Sequence, residues 1–298
     1  MRIPIRAMRV HTTAYKALRA TVRNACEMRR MSLVVRANPG VGLTTALELL
    51  GARLPDDTGL LYRKVVPVEG SMLRALFAGL ISPQLPAAGM TVMLVRVARR
   101  LAKDASEEAR TGVIFAVDRA HLLHPAGLEE MCSLEEALAE EGLTTFFILA
   151  GGSRLADLER EIARGGGHDI LGRYWSESHR LRGIQSQEDV AVYLRAFDRP
   201  VRSDEPALAN VSATESFLPT YFAQGWRYEI AAQAFWRQLA AALPDSGELP
   251  FQPVHEVACT VLESCERTQR PPVETDFARA IGNSTLPAVA QRLADGAN

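Results

Sequence analysis

A glycine-rich run at residues 37–45 has residue types that suit phosphate binding. It reads Ala-Asn-Pro-Gly-Val-Gly-Leu-Thr-Thr and lies between an apolar run and a helical pattern. Glycines let backbone N–H groups wrap around phosphate oxygens at a helix N-terminus, and a Ser or Thr hydroxyl suits Mg²⁺. The run therefore predicts binding of ATP or ADP with Mg²⁺. Its candidate binding residues, with Thr44 at the metal, are Asn38, Pro39, Gly40, Val41, Gly42, Leu43, Thr44 and Thr45.

The same run lacks the lysine of a complete phosphate-binding loop. In the pattern GxxxxGK[ST], the lysine position is Leu43 and the first glycine is Ala37. The lysine normally places a full positive charge beside the phosphate oxygens in the ground and transition states. Backbone amides and the helix dipole remain, so we expect weak nucleotide binding without fast hydrolysis. A glycine-rich turn that binds nothing is the alternative interpretation.

A second acidic motif lies at residues 112–118, where a near-continuous apolar run ends in Asp118. Such a run is typical of a parallel strand buried on both faces, and an Asp at its end holds Mg²⁺ in P-loop enzymes. A Glu that polarises the attacking water commonly follows, but Arg119 stands there. The losses at Leu43 and Arg119 together predict a degenerate site, with Asp118 as its metal-binding and catalytic candidate. The alternative is that Asp118 only caps a helix or a turn.

Alternating strands and helices must bring these residues together. Apolar runs bounded by Gly and Pro predict strands at 32–37, 59–68, 112–118 and 144–150. Helical patterns lie around them, among them 12–30, 44–54, 71–81 and 126–140. This alternation predicts an α/β fold with a parallel sheet flanked by helices. From about residue 185 the pattern is only helical, so we expect an α/β domain at 1–182, including an N-terminal helix, and a smaller all-α domain at 183–298.

Composition excludes several other classes of protein. The chain has 298 residues, 47% of them hydrophobic, and a net charge of −1, which favours neither disorder nor a strongly basic nucleic-acid protein. No apolar segment is long enough for a signal peptide or a membrane span, so we expect a cytoplasmic protein with no membrane partner. Its four cysteines form no CxxC pair, and its six histidines lack metal-ligand spacing.

Positive charge is concentrated in two places along the chain. Eight basic residues precede residue 31, against the single acid Glu27. A predicted helix ending near residue 104 carries a second group, which we call the basic stripe: Arg96, Arg99, Arg100 and Lys103. Basic helix faces beside a globular domain often meet a phosphate backbone. The basic stripe is therefore the first candidate for DNA binding and the N-terminal helix the second, with a solvated helix face as the alternative for both.

With these residues placed, the chain resembles the AAA+ ATPases that assist DNA transposition, of the MuB, TnsC and ExeA-like type. The resemblance covers about residues 12–285 and starts with a Thr-led helix at 12–28. The loop ANPGVGLTT is similar to the family's NPGVGKT, and VIFAVDRAHLL is similar to its apolar strand followed by Asp-Glu-Ala-His or Asp-Glu-Ala-Asp. The run TTFFILAGGSRL looks like the family's fourth strand.

The resemblance implies a P-loop AAA+ core followed by a smaller helical lid. The residues that it assigns to the phosphates and Mg²⁺ are Gly40, Gly42, Thr44, Thr45 and Asp118. The position of its polar sensor falls on Gly152, with Ser153 as the nearest hydroxyl. Arg173 lies where such proteins often carry an arginine that reaches the next subunit's nucleotide, and Arg227 lies where a second sensor arginine is often found. Surface solvation or a structural ion pair is the alternative for each arginine.

From the resemblance we expect a nucleotide-binding regulator that assembles as a ring or filament on duplex DNA. It would recruit a transposase or a related effector and would show weak or no ATP hydrolysis. The first alternative is a pseudo-ATPase scaffold that acts through protein contacts, for example in a mixed ring with an active paralogue. The second alternative is a true NTPase that uses a Lys or Arg from elsewhere in the chain.

Overall fold

The computed structural model describes residues 3–51, 54, 57–66, 76–77, 89–200, 210–242 and 247–295. Most of the helix expected at 71–81 lies outside these residues. The chain forms two compact units. The α/β unit contains Leu18–Asn38 and Leu43–Leu181, and the helical unit contains Met1–Ala17, Pro39–Gly42 and Arg182–Asn298. Within the described ranges, no helix is long and apolar enough to cross a membrane.

A parallel sheet forms the centre of the α/β unit, with five strands among the described residues. They are β1 (Ser32–Ala37), β2 (Thr58–Lys64), β3 (Gly112–Asp118), β4 (Thr144–Gly151) and β5 (Ser178–Leu181). The order across the sheet is β2-β3-β4-β1-β5. This parallel sheet, with helices packed on it, confirms the expected α/β class and is compatible with a P-loop-like core.

Branched and aromatic side chains in the central strands form the core of this unit. Every residue of β3 is buried, because both faces of a central parallel strand are covered. On one face the Phe115 ring stacks on Phe147 at 5.1 Å between centroids, and Phe147 meets Tyr174 edge-on at 5.5 Å. The helices described up to residue 181 are α1 (Thr13–Glu27), α2 (Leu43–Leu50), α3 (Met90–Glu107), α4 (Pro125–Glu140), α5 (Leu155–Arg164) and α6 (His168–Tyr174).

The strand register brings the carboxyl ends of the strands to one edge of the sheet. Asp118 at the end of β3 lies opposite Lys64 of β2 and Ala150 of β4, while Ala37 at the end of β1 lies opposite Leu181 of β5. The connection from β1 crosses to β2 in one direction, and the connection from β4 crosses to β5 in the other. In open parallel sheets, ligands bind outside the carboxyl ends where connections diverge in this way.

The helical unit is built around one long helix, α11. The helices described from residue 187 are α7 (Gln187–Leu194), α8 (Ala213–Phe217), α9 (Pro219–Ala223), α10 (Ala232–Ala240), α11 (Phe251–Thr268), α12 (Glu274–Gly282) and α13 (Leu286–Asp295). Val254, Val257 and Val261 make one face of α11 fully buried, as expected from apolar residues spaced three and four apart. Ser186 caps α7 by accepting a hydrogen bond from the N–H of Asp189 at 3.2 Å.

The N-terminal segment packs within the helical unit. From the sequence we expected this segment to belong to the α/β domain, at residues 1–182. Ile3 and Ile5 are buried in the same apolar cluster as the buried face of α11. The Arg6 guanidinium pairs with the Glu263 carboxylate of that helix at 2.7 Å. Burying an isoleucine side chain contributes about 1.5–3 kcal/mol, so these two residues are sufficient to fix a short segment that has no strand of its own.

Candidate functional site

The loop between β1 and α2 turns at two glycines with left-handed backbone. The φ angles are +80° at Gly40 and +85° at Gly42, a region that glycine adopts without strain from a Cβ atom. Apart from Gly42 and its two chain neighbours, no atom of the described residues lies within 4 Å of the place where a Cβ on Gly42 would stand. A Cβ on Gly40 would lie 2.9 Å from the Pro250 Cβ, and the Gly40 carbonyl accepts a hydrogen bond from the Gln252 N–H at 3.3 Å. Only glycine therefore fits position 40, for two separate reasons.

Thr44 and Asp118 form the centre of the candidate site. Thr44 is the second residue of α2, and its hydroxyl donates a hydrogen bond of 2.7 Å to Oδ2 of Asp118, the last residue of β3. Asp118 is buried. Two side chains that are 74 positions apart in the sequence thus meet at the carboxyl edge of the sheet. Of the other loop candidates, Val41 is buried, Asn38 and Leu43 are half-buried, and Pro39 and Thr45 are exposed.

Tyr62 is a third member of this site that the sequence analysis missed. Its hydroxyl donates a hydrogen bond of 2.9 Å to the same Asp118 Oδ2 that accepts from Thr44. Burial and the hydrogen bond to the Asp118 carboxylate raise the pKa of Tyr62 above its ordinary value, so the phenol stays protonated and acts as a donor. A polar aromatic residue near the end of an apolar predicted strand was the signal available in the sequence.

Arg119 and His121 follow Asp118 on a tight turn. Arg119 is exposed and has a left-handed backbone (φ 60°, ψ 37°) at the start of a short 3₁₀ helix over Ala120–Leu122. His121 is half-buried, and its Nδ1 has no hydrogen-bond partner among the described residues. Burial, together with the positive charges of Arg154 and Arg119, lowers the pKa of His121. His121 is therefore neutral at pH 7 and supplies no positive charge to the site.

The oxygen atoms of Thr44 and Asp118 fit a Mg²⁺ ion that arrives with a nucleotide. The described residues contain no group of three or more His, Cys, Asp or Glu that could hold a metal ion. Nucleotide-bound Mg²⁺ does not need such a group, because it is usually held by one or two protein oxygens, by phosphates and by water. Among the described residues, Thr44 and Asp118 therefore offer oxygen atoms that could hold Mg²⁺ together with phosphates and water.

Arg173, expected to reach a neighbouring subunit, makes ion pairs within its own chain. Its Nε lies 3.0 Å from Oε2 of Glu135, and its guanidinium also approaches Glu136 at 3.6 Å. Glu135 is largely buried, and burial raises its pKa while the charge of Arg173 opposes that rise. The Arg173 carbonyl also accepts a hydrogen bond from the Ser32 hydroxyl at 2.8 Å. These contacts give Arg173 a structural role in joining α4, α6 and β1.

Arg227, the expected second sensor, is held on its own segment. Its guanidinium donates hydrogen bonds of 2.8 Å to the carbonyls of Phe222 and Trp226. It also lies 3.7 Å above the Phe222 ring, in the geometry of a cation–π contact. Both contacts stabilise the end of α9. The polar-sensor position is less enclosed, since Gly152 is half-buried and Ser153 is exposed.

The basic stripe lies on α3, and most of its charge is balanced by acids of the same unit. Arg99 pairs with Glu141 at 3.3 Å, Arg100 with Asp104 at 3.0 Å, and Lys103 with Glu107 at 3.8 Å. Arg96 is exposed, and it is the stripe residue that has no ion pair within the described part of the chain. Exposed pairs such as these are weak and can rearrange. They nevertheless reduce the field that a DNA backbone would meet at this face.

Comparison of the chain with protein-family models and with curated proteins finds no match. The fold and the site therefore define its class: an α/β protein with a parallel sheet compatible with a P-loop-like core. A threonine and an aspartate meet at the carboxyl edge of that sheet.

Proposed function

We propose that this chain is an AAA+-type nucleotide-binding regulator that associates with duplex DNA and recruits a transposase or a related effector, with little or no ATP hydrolysis. The observation that carries the nucleotide part is the 2.7 Å hydrogen bond from Thr44 to Asp118. It joins the start of the helix after the glycine turn to the acidic end of a second parallel strand. A glycine-rich turn without a ligand has no need of an aspartate from another strand beside the first turn of the following helix.

Binding in this site relies on the backbone and on oxygen ligands. Helix α2 presents its first N–H groups and the positive end of its dipole, which favour an anion. The Thr44 hydroxyl uses its hydrogen for Asp118, which leaves its lone pairs for Mg²⁺. When a nucleotide is bound, Mg²⁺ would neutralise phosphate charge there. These terms support binding at micromolar to millimolar nucleotide.

Hydrolysis requires two groups that this site lacks at the expected positions. Leu43 offers no charge to the transferring phosphate, and Arg119 cannot polarise an attacking water as a Glu would. Loss of a positioned charge of this kind typically costs several kcal/mol of transition-state stabilisation. Nucleotide in the proposed protein therefore acts as an assembly ligand that persists, because turnover is slow.

Fluorescence anisotropy of an ATP analogue tests the nucleotide part. We expect micromolar binding in the presence of Mg²⁺, weaker binding with EDTA, and tighter binding when duplex DNA is added. The Thr44→Val and Asp118→Asn variants should lose the Mg²⁺-dependent part of the affinity. Absence of binding by the wild-type protein at millimolar nucleotide would refute the proposal.

The DNA part comes from the family resemblance, and the basic stripe offers its test. Electrostatic DNA binding weakens steeply with salt. Reversing charge in an Arg96→Glu, Arg99→Glu double variant should weaken binding to duplex DNA at low salt and reduce the salt dependence. An Arg237→Glu, Arg292→Glu double variant, at exposed positions of α10 and α13, makes the same change in net charge and serves as the control. Equal effects in the two variants would remove the stripe from the proposed DNA-binding face.

The pseudo-ATPase scaffold is the second candidate, and one observation favours it. Asp118 already receives two hydrogen bonds from Thr44 and Tyr62, so its carboxylate is stabilised without a metal ion. If the chain is such a scaffold, adding Mg²⁺ with ATP should leave the melting temperature of the protein unchanged. Changing Asp118 would then affect stability and partner binding but no nucleotide response.

A further inference from the structure

The proposed phosphate site has a charge gap at Leu43, and β2 brings a lysine to the same edge of the sheet. Lys64 is the last residue of β2 and is paired in register with Asp118. The N–H of the next residue, Val65, donates a hydrogen bond of 2.9 Å to the Asp118 carbonyl. This bond continues the strand pairing to the residue that ends β3. The position of the Lys64 backbone beside Asp118 is therefore fixed.

Strand geometry places Lys64 on the face of the sheet that carries the site. Side chains alternate between the two faces, so residues two apart share a face. Tyr62, two residues before Lys64, reaches Asp118 with its hydroxyl. Arg63, between them, donates hydrogen bonds of 2.9 Å to the carbonyls of Leu76 and Tyr62, and its pKa is lowered by burial. Lys64 is thus the basic residue of β2 that shares a face with the Tyr62–Asp118 pair.

The Lys64 side chain is exposed and is available to a ligand. It makes no ion pair or hydrogen bond through its amine within the described part of the chain, whereas Lys103 pairs with Glu107 at 3.8 Å. Lysine is scarce in this protein: the sequence contains only Lys16, Lys64 and Lys103 among 34 basic residues. Adjacent strands are about 4.8 Å apart, and the flexible four-carbon stem of lysine spans such a distance.

We propose that Lys64 supplies the positive charge that position 43 lacks, by binding the phosphate oxygens of the nucleotide from the β2 side of Asp118. This inference rests on the proposed nucleotide binding at Thr44 and Asp118. The charge comes from the edge of the sheet instead of from the first turn of α2. Lys64 is therefore a binding residue, and position 119 still offers an arginine where a carboxylate would activate water.

Affinity measurements on matched variants test the assignment. Removing a charge-assisted hydrogen bond from a phosphate site typically weakens binding by about 10- to 100-fold. We expect Lys64→Gln to weaken ATP and ADP by about 10-fold or more and to leave adenosine unchanged, because adenosine has no phosphate. Lys64→Arg should retain most of the affinity, and Arg292→Gln, which removes one exposed positive charge from α13, should match the wild type.

Lysine footprinting gives an independent readout on the wild-type chain. An amine-acetylating reagent, followed by peptide mass spectrometry, reports each of the three lysines separately. We expect Mg²⁺-ATP to slow acetylation of Lys64 by about five-fold or more, since a phosphate-bound amine reacts poorly. Lys16 and Lys103 are exposed and should react at the same rate with and without nucleotide. This measurement needs no variant, so it does not depend on how a variant folds.

Failure of this inference and failure of the proposed function give different results. If the wild-type protein binds ATP while Lys64→Gln binds it equally well and Lys64 is not protected, the assignment of Lys64 is wrong and nucleotide binding stands. If the wild-type protein binds no ATP in either assay, the proposed function fails and the inference fails with it. Equal loss of adenosine and ATP affinity in Lys64→Gln would also overturn the phosphate contact.

Discussion

The Tyr62→Phe substitution isolates one hydrogen bond at the candidate site. It removes a single oxygen atom, whose hydrogen bond of 2.9 Å reaches the buried Asp118 carboxylate. The ring remains, so the packing of β2 against α2 is kept. Because Thr44 still donates to the same Asp118 oxygen at 2.7 Å, the carboxylate does not become unpaired. The substitution therefore measures the contribution of the tyrosine hydroxyl alone.

The expected loss of stability follows from this geometry. A hydrogen bond to a charged group contributes about 1.5–3 kcal/mol. Tyr62 is half-buried, so water can partly replace the lost donor, and we expect the loss to be about 1–1.5 kcal/mol. For a unit of this size the melting temperature should fall by about 2–6 °C. A Tyr221→Phe variant, at a half-buried tyrosine of α9, controls for the general loss of a hydroxyl.

The pH dependence of the same variant has a defined sign. The pKa of Tyr62 is raised in the folded protein above its ordinary value of 10.0. A raised pKa contributes stability that is present below pH 10 and is lost as the pH rises towards the folded pKa. The difference in stability between the wild-type protein and Tyr62→Phe should therefore be constant from pH 7 to 9 and smaller above pH 10.

Measurements of nucleotide binding distinguish the role of Tyr62 from that of Thr44. Tyr62→Phe frees one lone pair of Asp118 and should not weaken Mg²⁺-ATP binding. Thr44→Val removes the other donor and also the proposed Mg²⁺ ligand, so it should show a similar loss of stability and about 10-fold weaker binding. Thermal denaturation and anisotropy titration at pH 7.5 measure both quantities. An unchanged melting temperature for Tyr62→Phe, within about 1 °C of Tyr221→Phe, would show that the hydroxyl does not stabilise Asp118.

Two further substitutions test packing inside each of the two units, Gly183→Ala in the helical unit and Arg173→Met in the α/β unit. Gly183→Ala should destabilise the protein by at least about 2 kcal/mol in denaturant titration, because its Cβ would lie 2.1 Å from the Leu249 carbonyl oxygen; Gly172→Ala, with open space in α6, should be neutral or stabilising. Arg173→Met should cost about 1–3 kcal/mol at pH 7 by leaving Glu135 unpaired. Burial already raises the pKa of Glu135, so that deficit should shrink as the pH falls towards 4.5, and adding Glu135→Gln should restore much of the stability.

The sequence predicted the main strands because they are apolar and bounded by Gly and Pro. β1 and β3 match the predicted ranges, β4 extends one residue further to Gly151, and β2 ends at Lys64 instead of continuing to residue 68. β5 was missed. Its sequence Ser-His-Arg-Leu is polar, and three of its four residues are exposed or half-buried at the sheet edge. No hydrophobic run marks a strand of that kind.

The Thr44–Asp118 pair was predictable, and Tyr62 and Lys64 were not. Thr44 follows a glycine turn and Asp118 ends an apolar strand, and both of these positions can be located in the sequence alone. Tyr62 and Lys64 become neighbours of Asp118 only because β2 pairs with β3 in one register. A shift by one residue would move both side chains to the other face of the sheet. Arg173 is a similar case, since only the packing of α6 on α4 gives it Glu135 as a partner.

The proposed site separates nucleotide binding from turnover on physical grounds. Binding needs charge and N–H groups, which can stabilise the ground state as much as the transition state. In the proposed site the flexible Lys64 side chain supplies the charge, and the backbone at the start of α2 supplies the N–H groups. Turnover needs groups aimed at the transition state and held rigidly there. Arg119 lies where an activating carboxylate would stand, and His121 is neutral. Restoring only the lysine by Leu43→Lys should therefore tighten ATP binding, while the hydrolysis rate stays near that of the wild-type protein. A large rise in turnover from that single change would contradict this account and would identify the missing lysine as the sole defect.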